Sequence, residues 1–410
     1  PTMSQEKTPA IRFRAFQENW DMVPLGDVCT FGKGKGFSKK DLKPSGTPLI
    51  LYGRLYTNYK TRIEVVDTFA DWSRDARISK GNEVIVPASG ETADEIAIAS
   101  SVGSEGVMIG SDLNIVTPDA TIDPDFLALG LTYARPRAEL ARVAQGKTVV
   151  HIRNSDIAEI LFPTPSRSEQ NWIFNYFREL DDLLDASAKK VEKLKRLKAT
   201  MLTKMFPRAG ADQPDIRFAG FSGAWEIRRL VDEVTIFGGL TYSPSDISNR
   251  GTFVLRSSNV QGGHVVTDDC VYVRSGAVNV QNVRVNDIVM VVRNGSRALI
   301  GKHAMIRRGM PNTVIGAFMT GLRAKQPTFV NALVSTNVFT DEVVKSMGAT
   351  INQITLGMLK EMTFLFPPDT SEQQAIGSFF QELDDLIDRE QQMLEKLHHL
   401  KSAFLQLMFV

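Results

Sequence analysis

The chain has 410 residues, with 48 Lys and Arg against 47 Asp and Glu, a formal net charge of +1. That length exceeds one ordinary core and suits two or three domains. The balanced charge excludes a global field that would steer an acidic partner, so any nucleic-acid affinity rests on local patches or on a partner subunit.

No run of about 18 apolar residues predicts a membrane helix, and the opening "PTMSQEKTPAIRF" lacks an apolar signal core, so the cytoplasm is the expected location. Pro1-Thr2 before Met3 reads as an added tail. Cys29 and Cys270 are the only cysteines, and His151, His264, His303, His398 and His399 the only histidines. Two isolated thiols fit reduced surroundings. No histidine stands at metal-ligand spacing with another ligand type, so no metal site is expected.

From Thr8, "TPAIRFRAFQENWDMVPLGDV" aligns without a gap to "QPDIRFAGFSGAWEIRRLVDE" from Gln213. Ile11, Arg12, Phe13, Phe16, Trp20 and Leu25 recur as Ile216, Arg217, Phe218, Phe221, Trp225 and Leu230. Each opening motif leads into a body of about 150 residues, a typical domain size. Short Val/Ile-rich runs such as "VIVPA" and "DIVMVV", parted by turn signals such as "GKGKG", "QGG" and "RNGS", predict an α/β (α+β) body of mixed short strands and helices. One helix is expected over "DPDFLALGLTYARPRAELARVA" from Asp123. "NEVIVPASGET" resembles "NDIVMVVRNGS", a strand followed by a polar loop. The bodies share rhythm but not loops, as two related, differently tuned binding modules would.

"LFPTP" and "LFPPD" close the bodies, and each is followed by one sentence written twice: "SEQNWIFNYFRELDDLLD" from Ser168 and "SEQQAIGSFFQELDDLID" from Ser371. Ser166 with Glu169, and Asp369 with Glu372, have capping-box spacing, the glutamate reaching back to the cap. The first helix is expected over Ser168 to Phe206, about 58 Å at 1.5 Å per residue. Ile173, Phe177, Leu180 and Leu184, and in the second copy Ile376, Phe380, Leu383 and Ile387, step by three and four as a coiled-coil seam. Pairing the stripes with each other is the simplest burial, and chain direction favours an antiparallel pair. In "RELDDLLD", Leu180, Leu183 and Leu184 are expected inside. Asp181, Asp182 and Asp185 belong on a solvated flank, and a metal or acid–base role is the lesser reading. The expected layout is a body over 1–165, a helix over 166–207, a second body over 208–368 and a second helix over 369–410.

Catalytic motifs are sought without success. "AQGKTVV" at Ala144 lacks the first glycine of a phosphate-binding loop, and "MGATINQ" in the second half lacks its lysine. "FGKGKG" at Phe31 reads as a flexible basic loop. No amino-methyltransferase or nuclease motif is present, and catalytic and metal residues are expected to be absent. Basic residues do cluster in the bodies. Lys33, Lys35, Lys39, Arg54, Tyr56 and Arg74 in the first, and Asn259, Arg293, Asn294, Ser296, Arg297 and Lys302 in the second, are candidate DNA contacts: Lys and Arg neutralise phosphates, while Arg and Asn read base edges. "VVRNGSRALIGK" is the sharpest stretch, either a base-contacting loop or an ordinary turn between strands.

The duplicated "IRF..F....W....L" openings, the "P...SEQ..I...F.ELDDL.D" helices and "NDIVMVVRNGSRALIGKHA" together resemble specificity subunits of type I restriction–modification systems, over essentially the whole chain. The resemblance implies two target recognition domains, each reading half of a bipartite double-stranded DNA site, separated by two long antiparallel coiled-coil helices that set the spacing. It further implies a non-catalytic subunit with no cofactor of its own. Two modification subunits would bring S-adenosylmethionine and methylate adenine. Restriction subunits would bring ATP- and Mg-dependent translocation and cleavage, in phage defence. An autonomous DNA-modifying enzyme and a coiled-coil interaction scaffold remain the rival readings.

Overall fold

The computed structural model describes residues 8–146, 149–347 and 352–409. Two compact units emerge, Pro1–Ser187 with Met393–Val410, and Ala188–Gln392.

In the first unit, Asp21–Pro24 pairs antiparallel with Leu161–Thr164. A five-stranded sheet runs in the order Cys29–Lys33, Leu113–Pro118, Glu83–Pro87, Ser100–Val102 and Arg62–Ile63. A four-stranded sheet runs Phe69–Ala70, Thr47–Ile50, Glu105–Ile109 and Arg77–Lys80. The strand Glu83–Pro87 shows why the sequence folds this way. All its residues are buried, and the two-residue period sends Val84 and Val86 into one core and Ile85 into the other. The helix capped by Asp123, whose carboxylate accepts from the Asp125 and Phe126 amides, is two helices rather than the single one expected: Pro124–Tyr133 and Arg135–Val143. Pro136 has no N–H to continue the first ladder, and it sits in the first turn of the second, where none is needed.

The second unit repeats the plan. Glu226–Arg229 pairs with Thr363–Phe366. One sheet runs Val234–Gly238, Met319–Ala324, Ile288–Val291 and His303–Met305, and another Ile247–Ser248, Val271–Val273, Thr252–Leu255 and Thr313–Ile315. Ile288 and Met290 point into one core, Val289 and Val291 into the other. Both units share one parallel pair among antiparallel ones, Thr47–Ile50 with Glu105–Ile109 and Thr252–Leu255 with Thr313–Ile315, and the first unit adds a second, Arg62–Ile63 with Ser100–Val102. The mixed α+β class expected from the sequence is what forms.

Two helices of 38 residues follow the bodies, the central one at Arg167–Lys204 and the later one at Thr370–Leu407. Within the first unit, Tyr176 packs edge-to-face on Phe404 at 5.4 Å, and Asp181 binds Lys401 at 2.5 Å. Within the second, Lys190 pairs with Glu390 and Lys198 with Asp384. In each unit, numbers rise along one helix as they fall along the other, so the segments are antiparallel. The eight seam residues are all buried, but not only against each other. Ile173, Phe177 and Leu180 join the first body's core together with Leu405, Met408 and Phe409. Ile376 and Phe380 join the second body's core with Met205 and Phe206.

The repeated Ser-Glu-Gln also differs from expectation. The Glu169 amide donates to Ser166 Oγ at 3.4 Å, the serine half of a cap, but the Glu169 carboxylate does not reach back. It is fully buried and grips Arg12 through Nε at 2.6 Å and Nη2 at 2.7 Å. Glu372 holds Arg217 identically, at 2.7 and 2.8 Å. Gln170 donates to the Pro165 carbonyl and Gln373 to that of Pro367, both at 2.9 Å. An arginine fork offers stronger, charge-assisted bonds than a lone backbone amide. The triplet therefore clamps each helix to its own body's opening motif.

Candidate nucleic-acid interface

The acidic repeats are cross-braces rather than a free flank. Asp181 takes Lys401, and Asp185 takes Lys60 at 2.5 Å. In the second unit Asp384 takes Lys198 at 2.5 Å, Asp385 takes Arg307, and Asp388 lies 3.0 Å from His264. Asp182 and Asp185 are exposed, as expected of a solvated flank, whereas Asp181 is half-buried; the departure from expectation is that long cations from packed elements reach Asp181 and Asp185. Leu183, expected inside, is exposed, while Leu180 and Leu184 are buried. No group of three or more His, Cys, Asp or Glu suited to a metal occurs among the described residues.

The glycines of "FGKGKG" serve the backbone. A Cβ on Gly34 would lie 1.8 Å from the Gly110 carbonyl oxygen, and in the second unit one on Gly239 would lie 2.0 Å from that of Gly316. Chains crossing this closely demand glycine. Each crossing brings the loop after the first sheet strand against the turn before Leu113–Pro118 or Met319–Ala324. Lys147 and Thr148 of the phosphate-loop-like stretch, and residues 348–351 of its counterpart, lie outside the described residues.

Around the first crossing, Lys33, Lys35 and Lys39 are exposed. Lys35 Nζ lies 4.0 Å from Asp75. Arg74 is exposed on the loop that also carries Trp72. Lys39 and Tyr56 line an open groove of about 840 Å³ together with Tyr52, Tyr59, Glu95 and Arg137. Tyr56 donates to the Ser89 carbonyl at 3.1 Å, and burial pushes its phenol up to about 12, which keeps it a donor at neutral pH. Arg54 is spent internally on Asp67 and on the Val65 carbonyl at 2.8 Å.

In the second unit "VVRNGSRALIGK" forms a hairpin, with Ile288–Val291 antiparallel to His303–Met305. Arg293, Ser296 and Lys302 are exposed on its loop, while Asn294 and Arg297 are half-buried. Asn294 Nδ2 donates to Ser257 Oγ at 3.3 Å, and its Oδ1 accepts from the Ser296 amide at 2.9 Å. Arg297 turns toward the Val344 carbonyl, 3.4 Å away. Asn259 is corrected. It is fully buried, its Oδ1 accepts from the Arg256 amide, and its Nδ2 donates to the carbonyls of Val266 and Asp269. With those groups satisfied and no exposed surface it cannot meet DNA. Asn259 and Arg54 are counterparts, each bracing the loop that follows a central strand.

Sequence reasoning passed over Phe318, an exposed ring beneath the Arg293 guanidinium, 5.2 Å from its carbon, and Tyr242, Ser257 and Ser258, which line an open groove of about 640 Å³ beside it. Phe318 two residues beyond Gly316 was the available signal: an apolar ring in a turn that the close crossing exposes. The arrangement offers donors and aromatic faces on loops over a rigid sheet, which suits contact with a polar polymer and supplies no nucleophile–base pair.

The family profile described as "Type I restriction modification DNA specificity domain" matches residues 17–196 and again 223–399. The chain is 21% identical over 407 residues to the type I restriction enzyme MjaVIII specificity subunit of Methanocaldococcus jannaschii, covering 95% of this chain and 92% of that one. It is 25% identical over 191 residues to the StySPI specificity subunit of Salmonella potsdam, covering 44% of this chain and 41% of the relative. In fold it is similar to the crystal structure of a type I restriction–modification S subunit from M. genitalium, with a TM-score of 0.64 at 15% identity over 98% of this chain and 99% of that one.

Proposed function

Since this chain belongs to the family of type I restriction–modification DNA specificity subunits and carries two copies of its recognition domain, we propose that each body reads one half of a bipartite site in double-stranded DNA and that the helices fix the gap between the halves. The carrying observation is a duplicated scaffold with unduplicated loops. Both units keep the Arg–Glu clamp and the glycine crossing, yet one presents Tyr56 on Ser89 and the other Arg293 on Phe318. Shared framework with divergent loops is how one fold serves two specificities. In this reading the chain is not itself an enzyme. It recruits two modification subunits, which supply S-adenosylmethionine and methylate adenine, and restriction subunits with ATP and Mg, in the cytoplasm. No helix among the described residues is long and apolar enough to cross a membrane.

The test is a matched insertion of one heptad in both helices, after Ser187 and after Gln392, which preserves the three–four stepping. Seven residues add about 10.5 Å, or about three base pairs at 3.4 Å each. Base-resolution mapping of methylated adenines in cells carrying the variant and its partners should show unchanged half-sites with a longer gap. Altered half-sites with the old gap would refute the spacer role.

A further inference from the structure

The hairpin loop of the second unit contains an arginine whose setting differs from its neighbours'. Most arginines there are committed: Arg256 to Asp269, Arg274 to Asp246, Arg323 to Asp287. Arg323 also stacks on an aromatic ring, that of Phe237 at 5.1 Å, but its donors are taken by the carboxylate. Arg293 is stacked and uncommitted: among the described residues its guanidinium has no ion pair and no hydrogen bond. Its backbone is fixed as well. The amides of Val292 and Arg293 both donate to the Phe318 carbonyl, at 2.9 and 3.2 Å, so the residue carrying the fork is tied to the residue beneath it. A cation held over a ring uses its face and leaves its N–H edge to act. That edge stands on the exposed loop beside the groove lined by Tyr242, Ser257 and Ser258.

We propose that Arg293, held over the Phe318 ring, donates two parallel hydrogen bonds to O6 and N7 of one guanine in the half-site read by the second domain. A planar fork needs two adjacent acceptors on one edge. In the major groove guanine presents that pair, whereas adenine pairs its N7 acceptor with a donor. Among the described residues the first domain has no such device at the corresponding position. Pro87 and Val291 end corresponding strands, and two residues on, where the second domain has Arg293, the first has Ser89, whose carbonyl is occupied by the Tyr56 hydroxyl. The guanine contact therefore belongs to one half-site alone. The inference rests on the reading that the second body recognises DNA.

The experiment uses the full chain in complex with its methyltransferase partners, mapping methylated adenines and measuring DNA binding against salt. Arg293→Ala should make one guanine of one half-site degenerate, with an about tenfold to hundredfold loss of discrimination there, and leave the other half-site intact. Arg293→Lys should restore affinity but not discrimination, since an ammonium is a point charge and not a fork. Phe318→Ala should blunt discrimination at the same base pair. An unchanged motif in Arg293→Ala and Arg293→Lys overturns the proposal. So does uniform weakening on all sequences with a salt slope reduced by about one, the mark of a phosphate contact. Replacing residues 208–368 with the second body of another specificity subunit separates the two levels. A swap that changes one half-site while Arg293 variants change nothing sinks only the guanine contact; a swap that changes neither half-site sinks the underlying reading.

Discussion

Replacing Arg12 with alanine should unhinge the first body from its helix. The Glu169 carboxylate that Arg12 holds through two bonds, at 2.6 and 2.7 Å, has no exposed side-chain surface, and Arg12 itself is only 13% exposed. Without the arginine a carboxylate stays buried and unpaired, and breaking a buried pair in this way costs about 3–5 kcal/mol. That is about a fifth or more of the ~5–15 kcal/mol that holds a typical domain together. Because two units need not unfold together, one global transition would blur the effect. Hydrogen exchange localises it. The Ile11 amide, next to Arg12 and bonded to the Leu407 carbonyl at 2.9 Å, should exchange on the order of 10²- to 10⁴-fold faster. Removing both charges, with Arg12→Met and Glu169→Gln together, should cost less than Arg12→Ala alone. Arg217→Ala should do the same to the second unit and somewhat more, since Arg217 also donates to the carbonyls of Gly223 and Ser222 at 2.6 and 3.1 Å. Unchanged Ile11 exchange and a stability within ~0.5 kcal/mol of the parent would refute the clamp.

Gly239→Ala should destabilise the second unit by at least the ~1–3 kcal/mol of an overpacked site, because its Cβ would meet backbone rather than a side chain that can move. Gly295→Ala, with nothing within 4 Å of the added carbon, is the control, and thermal unfolding compares the two. His303 gives a pH dependence. Burial, the main cause, holds its pKa below the ordinary 6.5, so the folded state favours the neutral ring, with Nε2 2.9 Å from Ser335 Oγ. The unfolded chain then binds more protons between the two values. Stability from this site is complete above about 6.5 and is lost as pH falls toward the folded value. Denaturant midpoints of the second unit should drop with acid across that window, and His303→Gln should flatten the slope; an equal slope in the variant would refute the assignment.

Local rules carried the parts of this fold that local rules govern. Alternation in "EVIVP" and "IVMV" sorted side chains between two cores, and the three–four stepping of Ile173, Phe177, Leu180 and Leu184 placed a seam that is buried throughout. Pro136 marked a helix break that the apolar pattern around it concealed. What escaped was the long-range choice of partners. Glu169 has capping-box spacing, yet an arginine 157 positions earlier outbids the cap. Asp181 looks like solvated surface until Lys401, 220 positions away, reaches it. Asn259 has the chemistry of a base reader and spends it on three loop backbone groups. Residue type states what a side chain can bond; only the crossing of distant segments decides what it does bond, and Phe318 beneath Arg293 is the same lesson at the interface.

The composition of the first unit has a consequence for synthesis. Its core takes in Leu405, Met408 and Phe409, while the second unit is one uninterrupted stretch, Ala188–Gln392. A ribosome therefore delivers the first body short of part of its core, and that body must wait, with apolar surface open, while the whole of the second is made and folds. A frameshift or premature stop between the codons of Met393 and Val410 would then damage the body translated first, and a screen for such truncations should find lost recognition of the half-site proposed for the first body.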